Sequence, residues 1–362
     1  MKIGILTFHA SHNYGSMLQA YALQRFLKDH GHEPEFINFR SKVQKLMYAH
    51  PFDFRYKYKI KETIYNALHT PQVLWPRYKR WVKHEKFLKQ HLSLSQEYNT
   101  EEEIKQCADK YDLIIVGSDQ IWNTNALDFS TAYFADFSNT KKISYAASLG
   151  SSPERCDKIL FKKYLPLFSS ISVREERSKD FLSNECGIKN IDVVLDPVLL
   201  HDKSTYEIFI DKKPIVTGDY IFYYTPKGYG DNIRNVCELG QKLGLKVITD
   251  KYYPNAENVT LLTLGPSEFL NVIRNATVVC GQSFHLAAFS ILFHKNYYCT
   301  DVHHDSRIDN LLQKLRIENR NITKETIDKV EAYTCSIDYD RADELLERQR
   351  QYSVNKLLEM ID

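Results

Sequence analysis

The order of apolar runs constrains this chain more than any other feature. Residues 3–8 form a strand-length apolar run, residues 16–30 carry a helical pattern that stops at Gly31, and residues 34–39 form a second short run. Two strands joined through one helix read as a parallel crossover, since the helix returns the chain to the end of the sheet it left. Strand-length runs recur at residues 111–116, 142–147, 169–173 and 191–195, with a helix expected over 175–186. The pattern restarts after Asp196-Pro197. Strands at 220–224, 246–249 and 277–280 alternate with helices at 230–243, 266–275 and 283–293, and further helices are expected at 308–315 and near 341–360. The expected fold class is α/β, with two Rossmann-like domains facing a cleft. The first spans residues 1–197 and carries a basic, aromatic insertion near 40–90; the second spans 198–340; the C-terminal helix, 341–362, is able to pack back on the first.

Charge distribution separates the insertion from the rest. The chain of 362 residues has a formal net charge of only +2, yet residues 40–89 hold thirteen lysines and arginines against three acids, Asp53, Glu62 and Glu85. Tyr48, Phe52, Phe54, Tyr56, Tyr58, Tyr65, Trp75, Tyr78, Trp81 and Phe87 are interleaved with those cations. Such a mixture suits the headgroup layer of an anionic membrane, or a solvated helical face with its aromatics packed inward. Nucleic acid is the poorer partner, because no recognised binding module accompanies the charge. The start lacks the apolar stretch of a secretion signal and no segment reaches bilayer-spanning length, so a cytoplasmic protein is expected, with peripheral contact at the inner membrane face left open. Seven scattered cysteines without a Cys-x-x-Cys pair argue against a disulfide framework and a structural zinc site.

In open parallel sheets, ligands gather at the carboxyl ends of strands, which directs attention to the residues after each run. After the first come His9, His12, Asn13 and Gly15. His9-x-x-His12 could be half of a metal site, but no third ligand lies nearby; a phosphate or sugar contact at the start of the next helix is better founded, with an ordinary turn as the alternative. The run at 113–116 ends in Gly117-Ser118-Asp119-Gln120-Ile121-Trp122-Asn123. A carboxylate, an amide and an indole together suit a sugar; the alternative makes Asp119 a helix cap and puts Trp122 in the core. Arg174, directly after residues 171–173, could fork onto a carboxylate or phosphate. Ser283 reads as an N-cap, which places His285 in the first helical turn, where an imidazole can exchange a proton near neutral pH. Thr300-Asp301 is followed by His303, His304, Asp305 and Arg307; Arg307 is a second anion clamp or a helix-start salt bridge, and adjacent histidines diverge too far to favour a metal.

These residues carry a family likeness. His9, Asn13-Tyr14-Gly15 and Leu18-Gln19, Tyr21-Ala22-Leu23 open a pattern continued by "VGSDQIWN", "SYAASLG", "SVREE" and "VLDPVLL", then by "SFHLAAFSILF" and "SRIDNLLQKLRIENR". In this order they resemble the polysaccharide pyruvyl transferase family, as far as about Arg320. One departure stands out: family members often read Asp-Ser-Phe-His-Gly where this chain has Gln282-Ser283-Phe284-His285-Leu286. The changes are expected to alter donor orientation and to narrow the space beside the histidine.

The resemblance implies a fold like that of GT-B glycosyltransferases, phosphoenolpyruvate as co-substrate with no cofactor or metal, and a cyclic pyruvate ketal formed on two hydroxyls of a sugar in a bacterial surface polysaccharide or its lipid-linked precursor. On that reading His285 and Asp119 are catalytic. Arg174, Ser283 and Arg307 bind the donor, and His9, Asn13, Gly15, Gln120 and Trp122 bind the acceptor. Two other readings remain: a GT-B glycosyltransferase using a nucleotide sugar, and a catalytically silent glycan-binding protein of the same pathway.

Overall fold

The computed structural model describes Met1 to Asp362 apart from residues 227–230, 254, 255, 257, 258, 301–304, 318, 319, 324, 325, 328–332 and 334–336. The chain forms two compact units. The first comprises Met1–Glu62, His84–His201 and Arg348–Asp362; the second comprises Thr63–Lys83 and Asp202–Glu347.

In the first unit, β1 (Lys2–Leu6) leads through α1 (Tyr14–Asp29) to β2 (Glu33–Phe36). Asn13 stops the preceding loop and starts α1, its side-chain oxygen accepting from the Gly15 amide. The insertion folds into α2 (Lys42–Met47), α3 (Lys57–His69) and α4 (Leu74–His91), and the boundary between the units falls inside α3 and α4. Next in the chain are α5 (Glu101–Ile104), β3 (Leu113–Val116), β4 (Lys142–Ala147), α6 (Lys158–Tyr164), β5 (Ser170–Val173), α7 (Glu176–Cys186) and β6 (Ile191–Val193). The six strands are parallel in the order β2-β1-β3-β4-β5-β6. Leu113-Ile114-Ile115-Val116 is buried throughout, as a central strand covered on both faces requires. The chain winds one way from β1 to β2 and the other way from β1 to β3. The sheet therefore opens a crevice between the carboxyl ends of β1 and β3, where the winding reverses.

The second unit has α8 (Ser204–Glu207), β7 (Tyr220–Tyr224), α9 (Asp231–Leu243), β8 (Lys246–Thr249), β9 (Val259–Leu261), α10 (Pro266–Asn275), β10 (Val278–Gly281), α11 (Phe284–Leu292), β11 (Asn296–Cys299) and α12 (Ser306–Lys314). Its five parallel strands run β11-β10-β7-β8-β9, which puts the reversal between β7 and β10. At that point a Cβ on Gly281 would stand 1.8 Å from the Tyr224 carbonyl oxygen, so the close approach of the two strand ends demands glycine. The last helix, α13 (Tyr339–Ile361), passes into the first unit at Arg348. Strands β9 and β11 have no counterpart in the apolar-run pattern, because Val259-Thr260-Leu261 is short and half-buried and Asn296-Tyr297-Tyr298-Cys299 contains no aliphatic residue.

Candidate functional site

In the first unit, the loops after β1 and β3 are tied together at the winding reversal. Thr7 donates its hydroxyl to the Ser118 carbonyl at 2.8 Å, and the Gln19 amide of α1 donates to Thr7 at 3.1 Å. Asp119 sits in this junction with φ +70, a left-handed conformation unusual for a residue with a side chain. One carboxylate oxygen accepts from Ser16 on the first turn of α1 at 2.5 Å, and the other from the Gln120 amide at 2.8 Å. The Ser148 amide donates to the Asp119 carbonyl, joining the loop to the end of β4. Tertiary packing thus holds the aspartate in a strained backbone state, a pattern that clusters at functional positions.

A second acid stands close to it. Burial raises the Asp128 carboxyl pKa, and the Asp119 charge adds to the rise against the opposing influence of Tyr48. A proton is consequently held more tightly on Asp128 than on an ordinary carboxyl. No local sequence signal marks Asp128, which lies beyond the strand-end cluster and is brought to Asp119 by the fold.

Two of the residues expected to contact the acceptor, His9 and Trp122, turn inward in this unit. His9 is 1% exposed. Its Nδ1 lies 3.0 Å from the Thr7 carbonyl and its Nε2 3.0 Å from Asn38 Oδ1, while burial, opposed by those bonds, lowers its pKa. His9 is therefore a brace inside the fold, which corrects its assignment as an acceptor contact. Trp122 is wholly buried, stacked near Phe134 and donating its indole N–H to the Tyr133 carbonyl at 3.3 Å. The core alternative is the one realised, because an indole offers more free energy packed among phenyl rings than at a wet edge. Asn13, Gly15 and Gln120 stay at the strand-end edge, with the Asn13 oxygen committed to the Gly15 amide and Gln120 half-buried beside Asn123.

Arg174 comes directly after β5 and is buried. Its Nε donates to Glu175 and its Nη1 to Asp196, each at 2.7 Å. Asp196 also accepts from Ser118 at 3.1 Å, and Glu175 from Ser178 on α7 at 3.0 Å. Burial works against the charge, but the two carboxylates outweigh it and raise the guanidinium pKa. The expected fork onto a ligand anion is corrected to an internal one that locks Asp196, and through it Ser118, beneath Asp119. Asp196 is legible in the sequence only as a boundary, although it too comes directly after an apolar run.

In the second unit, Ser283 caps α11, its hydroxyl accepting from the Leu286 amide at 3.4 Å, and His285 lies in the first turn as expected. The imidazole is largely buried, edge-on to Phe284. Gln282 donates to the Thr300 carbonyl at 3.3 Å and its amide to the Tyr224 carbonyl, so the departure from aspartate tethers the loop after β10 to the end of β11. Leu286 is fully buried and packs against Gly281. Arg307 forms a two-pronged pair with Asp305, the cap of α12, at 2.9 and 2.5 Å. The helix-start salt bridge is thus the reading realised.

After β8 the structure adds a residue with no sequence signal of its own. Lys251 donates to the carbonyls of Thr225 and Pro226, beyond β7, at 2.5 and 2.6 Å. Burial lowers its pKa to about 8, against the pull of Asp250, which is itself paired with Arg80 at 2.8 Å. His303 and His304 lie outside the described residues. Among the described residues no group of three or more His, Cys, Asp or Glu side chains is placed to hold a metal ion.

The fold has known counterparts. The UDP-GlcNAc 2-epimerase from Neisseria meningitidis bound to UDP-GlcNAc superposes with a TM-score of 0.55 at 12% identity, over 99% of this chain and 100% of that one. The UDP-GlcNAc 2-epimerase from Methanocaldococcus jannaschii gives 0.54 at 13% identity over 92% of each chain. AviGT4, a glycosyltransferase involved in avilamycin A biosynthesis, gives 0.52 at 9% identity over 99% and 96%. At such identities the likeness establishes a GT-B-like α/β fold and nothing about substrate. No curated protein matches the chain. The family model for polysaccharide pyruvyl transferase matches residues 13–304, a stretch that contains Asn13, Asp119, Arg174, Ser283 and His285, and the chain belongs to that family.

Proposed function

We propose that the protein transfers the enolpyruvyl unit of phosphoenolpyruvate onto two hydroxyls of a sugar in a bacterial surface polysaccharide or its lipid-linked precursor. One sugar hydroxyl adds to C2 of the donor while a proton is delivered to C3, which becomes a methyl group. Phosphate then leaves C2 and the second hydroxyl closes the ketal, so one hydroxyl proton is balanced at C3, the other leaves with phosphate, and no redox partner is needed. His285 carries this reading. It stands in the first turn of a capped helix at the winding reversal of the second sheet, where a histidine can give and take the required protons.

In this scheme the donor's anionic groups are met by the α11 N-terminus with Ser283, and by Arg307 in exchange for Asp305. Asp119, Asn13 and Gln120 orient the acceptor, and Asp119 assists its deprotonation. Arg174 acts as a positioning residue through Asp196 and Ser118. The test is to offer phosphoenolpyruvate with a panel of simple and lipid-linked glycosides, looking by mass spectrometry for a pyruvyl ketal and by phosphate assay for release. With nucleotide sugars offered in parallel as donors, formation of a glycoside with release of a nucleoside diphosphate, and no ketal from phosphoenolpyruvate, would overturn the reading. His285→Ala should lower turnover by about a hundredfold or more while leaving donor affinity within a few-fold; an unchanged rate removes the histidine from the chemistry.

A further inference from the structure

Helix α3 is inside out. On a soluble protein the polar side of a helix faces water and the apolar side faces the core. In α3 the covered residues are Lys59, Glu62, Thr63 and Asn66, with Ile60 the one apolar side chain among them, and Lys59 is paired to Glu62 at 2.9 Å. The outward side carries Tyr58, Ile64, Tyr65 and Leu68, which are 64%, 56%, 61% and 75% exposed. At 100° per residue those four, with the exposed Lys57 and Lys61, fall in a sector of about 120°. Four large apolar side chains on one wet helical face are far outside the scattered exposure that soluble surfaces show.

A smaller exposed apolar stripe lies on the first half of α4, whose second half buries Phe87 and Leu88. Trp75 and Val82 are more than two-fifths exposed, one helical face apart by seven residues, and Lys79 between them holds its ammonium 5.7 Å from the Trp75 ring. The acids of the insertion do not offset the cations on these faces. Asp53 is paired with Arg55, Glu62 with Lys59, and Glu85 with His12 and Arg40. The outward surface is thus apolar, aromatic and positive.

We infer that the outward face of α3, seconded by the Trp75–Val82 stripe of α4, binds the surface of an anionic lipid membrane. Tyrosine and tryptophan have an apolar body and a polar tip, and lysine has an apolar stem and a charged head, so both sit comfortably at the boundary between acyl chains and headgroups. A lipid surface is favoured over a second copy of the chain by charge: two such faces would oppose lysine to lysine, whereas anionic headgroups complement them. Among the described residues no helix is long and apolar enough to cross a membrane, so the contact is a peripheral one. The inference does not depend on the proposed chemistry, and its test needs no turnover.

The experiment is vesicle flotation of the full chain with phosphatidylcholine vesicles made with and without phosphatidylglycerol. The protein should float with the anionic vesicles, stay behind with the neutral ones, and lose most of the binding as salt is raised. Tyr65→Ser with Leu68→Ser, and separately Lys57→Glu with Lys61→Glu, should each cut partitioning by about tenfold or more, with melting temperatures within a few degrees of the parent. Leu167→Ser, an exposed apolar position on another element, should leave it unchanged. Absence of flotation at low salt, or equal flotation of the α3 variants, overturns the inference. So does a wild-type dimer that Leu68→Ser converts to a monomer, which would assign the face to self-association.

Discussion

Arg174 shows how a residue chosen for one kind of partner can serve another. A guanidinium at a strand end can clamp a ligand anion or two carboxylates of its own chain, and only the fold decides between them. Here Glu175 and Asp196 hold it, both buried. Arg174→Met should destabilise the protein by about 3–5 kcal/mol in urea unfolding, because two carboxylates are left uncompensated in the interior. A variant of unchanged stability with weakened donor binding would return Arg174 to the ligand. A second network at this scale responds to pH. Burial alone would raise the Glu85 pKa, but His12 and Arg40 together lower it to about 2 from an ordinary 4.5. A depressed acid stabilises the fold above its unfolded pKa and loses that contribution as pH falls through its folded one. The unfolding free energy of wild type over Glu85→Gln should therefore shrink by on the order of 2 kcal/mol between pH 5 and pH 2, with most of the change below about pH 4.5. A difference that stays constant over that range would dismiss the network.

At the scale of elements, the two sheets place the proposed acid/base residues at the same kind of position. Each reverses its winding once, between β1 and β3 in one and between β7 and β10 in the other, and the residues after those strands are Asp119 and His285. Looking at the residues just after each apolar run picks out side chains that gather at one edge, because parallel strands end together there. It fails where a side chain near that edge turns inward, as His9 and Trp122 do. The strand ends at the second reversal approach so closely that Gly281→Ala should cost about 2–4 kcal/mol of stability, since a Cβ there overlaps the Tyr224 carbonyl. Denaturant unfolding checks this, and a neutral substitution would mean that the two strands can separate freely.

At the scale of the whole chain, the path is less sequential than the apolar pattern suggests. Residues 63–83 of the insertion belong to the second unit, and residues 348–362 belong to the first. There the Ser353 hydroxyl accepts from the buried Leu195 amide at 2.9 Å, Arg350 donates to the carbonyls of Leu199 and His201, and Leu357, Met360 and Ile361 are buried. Deleting residues 348–362 should remove about 5 kcal/mol or more of apolar burial and lower the melting temperature by about 10 °C or more. An unshifted melt would show that the first unit stands without this segment.

The sequence by itself determined the class of fold, because strand-length runs alternating with helices admit few solutions other than parallel sheets with crossovers. It also determined the α11 cap and the place of His285, which depend on residues close together in the chain. Tertiary structure alone decided which polar groups are paired with each other inside the fold. Arg174 and Asp196 are 22 residues apart, Asp119 and Ser16 are 103 apart, and no local pattern connects either pair. It also decided that α3 turns its tyrosines and leucine outward. Helical spacing defines two faces, but the choice of the buried one rests on the parts of the chain that the fold places against it.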